Sequence, residues 1–347
     1  MRTSGRASAM KRYGNLFERI TNIDNIKLAH KQARRGKAFY AEVKMVDKDI
    51  DKHCFAIQKM LIDKTFTTSP YEIEERFDGR KMRTIYKLPY YPDRIVQHAL
   101  LNVTGKIFTS SFIRDTYQSI IGRGTSDAMR RVMKVVRSDK CPNYALKIDI
   151  EKYYPSVDND KLKLMIRSKI KCTQTLWLFD NIIDSTKGLP IGNYTSQHLG
   201  NLYLNNFDWW VKQEVKPAGY FRYCDDIVFM SDSKAKLLAY KVRAVATLKL
   251  LGLNIKNTWN IYNIKKHGLD FVGYVFTPYS TRLRTSIKMK FKTACKTVKK
   301  RSGNQDGDLS RIMAYKGWCK PCSAKMLWRT HTLPLRNLYP KQLRGAI

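Results

Sequence analysis

Acidic side chains are scarce in this chain. Only 29 Asp and Glu stand against 65 Lys and Arg in 347 residues, a formal net charge of +36. That excess goes far beyond what solubility needs and implies a polyanionic partner. With 20 Tyr, 14 Phe and 6 Trp available for stacking, the simplest polyanion is nucleic acid. A membrane surface is the rival explanation. However, no apolar run approaches the roughly 20 residues of a membrane span, and no secretory leader with an apolar centre is present. Regular cysteine spacing is missing too: seven Cys, an odd number, indicate a reducing compartment. Cys319-Lys320-Pro321-Cys322 is the single C-x-x-C. A structural zinc there needs two more ligands and finds only His331 nearby, so the pair reads as ordinary thiols. Internal repeats and low-complexity tracts are absent. No Gly-Lys-Ser/Thr closes a glycine-rich loop, which excludes a phosphate-binding P-loop.

What is present centres on Phe221-Arg222-Tyr223-Cys224-Asp225-Asp226-Ile227-Val228-Phe229-Met230. Two apolar, β-favouring arms flank two carboxylates, which predicts a tight hairpin with Asp225-Asp226 at its tip. Asp forms turns well, but adjacent anions on an apolar hairpin repel, where Asn-Gly or Asp-Gly would be the bland choice. A divalent cation would remove that repulsion; taken alone, the pair also fits a solvated turn. A second segment shifts the balance. Tyr144-Ala145-Leu146-Lys147-Ile148-Asp149 alternates as a strand ending near Asp149, and Pro155 stops regular structure soon after. Three carboxylates converging from these two segments could hold two metal ions about 3.5–4 Å apart for in-line phosphoryl transfer.

Other segments are legible from their residues. Leu16, Ile20, Ile23, Ile26 and Leu28 predict a helix over residues 11–37, and residues 1–40 carry ten basic and two acidic side chains. Residues 1–12 are basic and acid-free, which reads as an extension before a start at Met10, with a transit peptide as the alternative. Residues 79–89 form a basic strand-like stretch, and Pro92 opens a helix with Ile95, Ala99 and Leu100 on one face. In Gly122-Arg123-Gly124-Thr125-Ser126-Asp127, Ser or Asp is expected to cap the following helix. A basic helix is expected over 158–171. The Gly-Leu-Pro-x-Gly turn at 188–192 leaves backbone exposed for a base or nucleotide and leads into a helix over 199–207. Residues 281–347 hold seventeen basic and two acidic side chains, with helices expected over 286–300 and 313–328.

Asp149 followed by Tyr223-Cys224-Asp225-Asp226 resembles motifs A and C of reverse transcriptases, and the order of blocks over residues 11–330 is similar to that of group II intron-like members. Ile191-Gly192-Asn193-x-x-Ser196-Gln197 resembles the form found in reverse transcriptases of diversity-generating retroelements, where other members have Gln at 191 and Ser-Pro at 196–197. The resemblance implies an α+β right-hand polymerase: a basic amino-terminal extension or helix (1–36), fingers with the first part of the palm (37–143), a palm of antiparallel sheet backed by helices (144–280, with a fingers insertion at about 160–188), and a helical basic thumb (281–347).

It further implies RNA-directed DNA polymerase activity that copies a template-repeat RNA into adenine-mutagenised cDNA. Asp149, Asp225 and Asp226 would be catalytic, and with Ile150 they would bind two Mg²⁺ ions, for which Mn²⁺ can substitute. Lys81, Arg83, Tyr154, Ile191, Gly192 and Lys256 would face the nucleotide. Arg123, Asn193, Ser196 and Gln197 would face template or primer. Tyr154 would exclude a 2′-hydroxyl, and Lys256 would protonate departing pyrophosphate. The implied partners are template RNA, the cDNA/RNA duplex, deoxynucleoside triphosphates and a small basic oligomeric accessory variability protein, with no membrane. The implied setting is the cytoplasm of a bacterium or archaeon, or a phage-encoded origin. A phage-defence or group II maturase-type enzyme, or a catalytically silent RNA-binding scaffold, are the alternatives.

Overall fold

The alternation of Tyr144–Asp149 is a strand in the computed structural model, which describes residues 11–77, 82–301, 307–339 and 343. The chain divides into two compact units. The first comprises residues up to Ile120, Ile150–Lys216 and Val242–Lys256; the second comprises Ile121–Asp149, Pro217–Lys241 and Asn257 onward.

In the first unit the helix Ile95–Thr109 forms the centre, with Ile95, Val96, Ala99, Leu100 and Phe108 fully buried. Helices Ile23–Ala33 and Tyr194–Tyr203 pack on it. The single helix expected over 11–37 is instead two, Phe17–Thr21 and Ile23–Ala33. Asn22 takes an extended conformation between them, and its side chain accepts hydrogen bonds from the Asp24 and Asn25 N–H groups, so the second helix starts afresh at a proper cap. Strands Glu72–Phe77 and Met82–Lys87 form an antiparallel hairpin with Arg83 exposed and opposite Arg76. Lys81 lies outside the described residues.

In the second unit four strands are hydrogen-bonded in the order Gly219–Tyr223, Asp226–Ser231, Tyr144–Asp149, Asn260–Asn263, each antiparallel to its neighbour. Strands Leu269–Phe271, Tyr274–Phe276 and Thr281–Leu283 make a smaller antiparallel sheet. Among its described residues the basic tail supplies three α-helices, Thr285–Lys300, Asp308–Cys319 and Lys325–Thr332, and a short 3-10 turn, Leu333–Leu335, where two helices were expected. Phe291 stacks on Trp328 inside them, centroids 5.5 Å apart at 2°. Trp318 packs on Gly273 and Tyr274, as a core residue does: Gly273 has φ +87°, and an added Cβ would meet the Trp318 ring at 2.6 Å. The helix Thr125–Val136 begins at Gly124 without the side-chain cap expected of Ser126 or Asp127; Asp127 pairs with Arg130 instead. The thiols of Cys319 and Cys322 are free, and burial pushes them up to about 11 and about 12. No helix among the described residues is long and apolar enough to cross a membrane.

Candidate active site

The hairpin turns one residue earlier than its composition suggests. Tyr223 and Asp226 are register partners, so the two-residue tip is Cys224-Asp225 and Asp226 opens the return strand. Cys224 carries the turn at φ +56°, and the buried guanidinium of Arg222 donates to the Cys224 carbonyl at 3.0 Å. Sequence reading missed Arg222, because an arginine in an apolar arm looks like an edge residue until the fold buries it.

The carboxylates stand on adjoining segments. Asp149 is the register partner of Asp226, and Asp225 is the residue just before it in the turn. Lys147 lies two residues before Asp149 on the same face, diagonal to Asp226, and its ammonium sits 3.1 Å from Asp226 Oδ2. Asp226 Oδ1 is sealed from solvent with no hydrogen-bond partner among the described residues. Burial therefore pushes the Asp226 carboxyl up to about 6; Lys147 opposes the shift and the charge of Asp149 adds to it. Lys147 also donates to the Asp270 carbonyl at 3.2 Å, and Arg284 Nε holds the Asp270 carboxylate at 2.7 Å. Lys147, Asp149, Asp270, Tyr262 and Lys266 line a cavity of about 830 Å³. The period-2 pattern that predicts the strand could have singled out Lys147; Asp270 and Arg284 are too remote in sequence.

Asp226 thus has one oxygen on a lysine and one on nothing, beside a second carboxylate that repels it. Hard divalent cations are held by such acceptor-only oxygens, and the donor chemistry fits one. No group of three or more His, Cys, Asp or Glu side chains among the described residues is gathered closely enough to hold an ion by itself. An ion here would draw on two carboxylates, with substrate oxygen and water completing its shell.

The remaining residues singled out from the sequence lie on the first unit, apart from Arg123, which belongs to the second. Ile150 is buried and bridges Ile255, next to the half-buried Lys256. Tyr154 is half-buried, 5.4 Å from the Tyr153 ring, and lies against Gly200, where an added Cβ would stand 3.3 Å from Tyr154 Cε1. The carbonyl of Ile191 accepts the Tyr86 N–H at 2.8 Å, which ties this turn to the Met82–Lys87 strand. Gly192 has φ +137°, and a Cβ would come within 2.1 Å of the Tyr86 carbonyl oxygen, so only glycine fits. Asn193 and Ser196 are buried. Asn193 donates to Tyr71 at 2.8 Å and Ser196 to the Pro190 carbonyl at 2.7 Å, so both side chains hold the turn. Gln197 is exposed and accepts from Ser119. Gln97 Oε1 receives the Tyr194 and Thr195 N–H groups and so caps the helix that follows.

The mixed helix–sheet architecture, with carboxylates at adjoining strand ends, is that of the right-hand polymerases. Residues 76–276 match the reverse transcriptase (RNA-dependent DNA polymerase) family, and the chain belongs to it. It is similar to the retron Ec86 reverse transcriptase of Escherichia coli, 24% identical over an alignment of 184 residues that covers 48% of this chain and 50% of that protein. Among solved structures it is similar to apo telomerase from Candida tropicalis, with TM-score 0.51 and 11% identity, covering 79% of this chain and 58% of that one. It is also similar to telomerase from Candida albicans in complex with a TWJ fragment of telomeric RNA, with TM-score 0.51 and 9% identity over 81% and 58%. At such identities the telomerases show the shared fold. The chain spans about half the length of the retron enzyme.

Proposed function

We propose that this chain is an RNA-directed DNA polymerase of the diversity-generating type. The observation that carries the polymerase reading is the register of Asp149 on Asp226 with Asp225 in the adjoining turn, inside the family-matched segment. Asp149 and Asp225, with the Ile150 carbonyl, would hold Mg²⁺ (or Mn²⁺), which supplies charge neutralisation at the α-phosphate and lowers the pKa of the primer 3′-hydroxyl. Asp226 tunes this pair through its contact with Lys147. The protein's share of catalysis is positioning of the primer end and the triphosphate. Tyr154 would exclude a 2′-hydroxyl, Lys81 and Arg83 would meet the triphosphate, and Lys256 would donate the proton to pyrophosphate. Arg123 and Gln197 contact template or primer, while Gly192, Asn193 and Ser196 shape the turn that presents Ile191.

Ile191 supports the finer reading. An amide at this position could hydrogen-bond the nucleotide; an isoleucine supplies shape only, so mispairs lose less relative to correct pairs. Adenine-biased errors, a template-repeat RNA and a small basic accessory variability protein follow for the diversity-generating type. Primer extension on a structured RNA with sequencing of the cDNA tests it. Substitutions concentrated opposite template adenines are expected; accurate cDNA would return the chain to a retron-like or phage-defence enzyme, and no cDNA at all would leave an RNA-binding scaffold.

A further inference from the structure

Arg94 immediately precedes the Ile95–Thr109 helix, one turn from His98 on the same side. Its guanidinium makes no hydrogen bond or ion pair among the described residues, and its Nε is sealed from solvent. His98 is 7% exposed, and its Nδ1 is likewise sealed and unpartnered. The imidazole lies flat on Tyr194, centroids 3.6 Å apart at 8°, and Tyr194 meets His198 edge-on at 5.7 Å. Lys37 joins the group: burial and the charge of Arg94 hold its ammonium down at about 8. Arg94, Lys37 and His198 in turn disfavour protonation of His98.

Four nitrogen bases are thus gathered, and among the described residues no carboxylate is hydrogen-bonded or ion-paired to any of them. Nearby acids are engaged elsewhere: Asp47 accepts from His30 and Arg34, Asp93 from Ser69, and Glu42 from the Tyr90 N–H. An uncompensated, partly buried guanidinium is costly unless an anion balances it. Arg94 and Lys37 each keep part of the side chain open to solvent, from which an anion could approach. Two and three residues beyond Lys37, Phe39 and Tyr40 stand 68% and 51% exposed with ring centroids 4.5 Å apart. Exposed aromatics beside a cationic cluster suit a base next to its phosphate, as single-stranded nucleic acid offers and a free anion does not.

We infer that Lys37 and Arg94, with His98 behind Arg94, form a seat for one phosphate group of a single-stranded polynucleotide, with Phe39 and Tyr40 as the stacking surface for the adjoining base. Only binding is at issue, so titration of the full chain with a single-stranded RNA oligonucleotide, without nucleotide or divalent ion, keeps this separate from polymerisation. Anisotropy is followed from 50 to 200 mM salt. Arg94→Gln and Lys37→Gln should each weaken binding about tenfold and lower the slope of log K against log salt by about 0.7. Phe39→Ala/Tyr40→Ala should weaken single-stranded RNA and spare duplex RNA. Arg94→Gln should melt no lower than the parent, because it removes an unbalanced charge; a bracing arginine would lower the melting temperature. Unchanged affinity and slope would overturn the seat, as would an affinity loss that tracks a fall in melting temperature. Competition by millimolar inorganic phosphate or a deoxynucleoside triphosphate, with the Arg94→Gln chain insensitive, would overturn the polynucleotide as occupant.

Discussion

Asp225 and Asp149 stand at the ends of neighbouring segments, and each is irreplaceable in the proposed chemistry for its charge more than its shape. Asp225→Asn keeps the side-chain volume and the turn while removing an anion. DNA synthesis is expected to fall by at least about a thousandfold, with RNA affinity in a binding titration unchanged. Tyr154 allows a separate check. Trimming it to Val should admit ribonucleotides, raising their incorporation relative to deoxynucleotides in single-nucleotide extension; unchanged discrimination would remove the steric gate. At position 191, Ile→Gln adds a hydrogen-bonding amide where the chain now offers only methyl groups, and the error frequency at template adenines should drop. The candidate carboxylates stood out because Asp-Asp between apolar arms is electrostatically odd. Lys147 was in view in the same strand and went unassigned, since its partner Asp226 comes from a strand nearly eighty residues later and only the register brings the two together.

Elements show where sequence reading falls short by one or two residues. The hairpin was legible, but its tip falls on Cys224-Asp225 because pairing of Tyr223 with Asp226 leaves a two-residue loop, a matter of register that composition does not encode. The amino-terminal helix splits at Asn22, where a side-chain cap competes with helix continuation. The turn at 188–192 was read as exposed backbone, while its real constraint is a neighbour: the Tyr86 carbonyl lies where a Gly192 side chain would be. Gly192→Ala should therefore cost about 3 kcal/mol in denaturant unfolding. The helix Tyr194–Tyr203 carries His198, which burial holds down at about 4, and packs against the helix bearing His98, held at about 3. Both are depressed below the usual value near 6.5. Their stabilising effect is present above pH 6.5 and is lost as pH falls through about 4, because the unfolded chain takes up protons that the folded one refuses. Melting temperature should fall over that window, and His198→Gln should flatten the fall.

For the whole molecule, net charge was the clearest statement in the sequence, and it fixes a class of partner without choosing among enzymes that share it. Every basic nucleic-acid binder shows steeply salt-dependent affinity, so that property alone does not separate a polymerase from a scaffold. The family match does more, and the strand register adds two acidic side chains paired across adjoining strands within the matched segment. The most direct measurement is extension of a DNA primer annealed to RNA, with Mg²⁺ and all four deoxynucleotides, by the parent chain and Asp225→Asn side by side. Full-length cDNA from the parent and none above background from the variant is the expected result. Equal extension by both would contradict the assignment of these carboxylates to the chemistry.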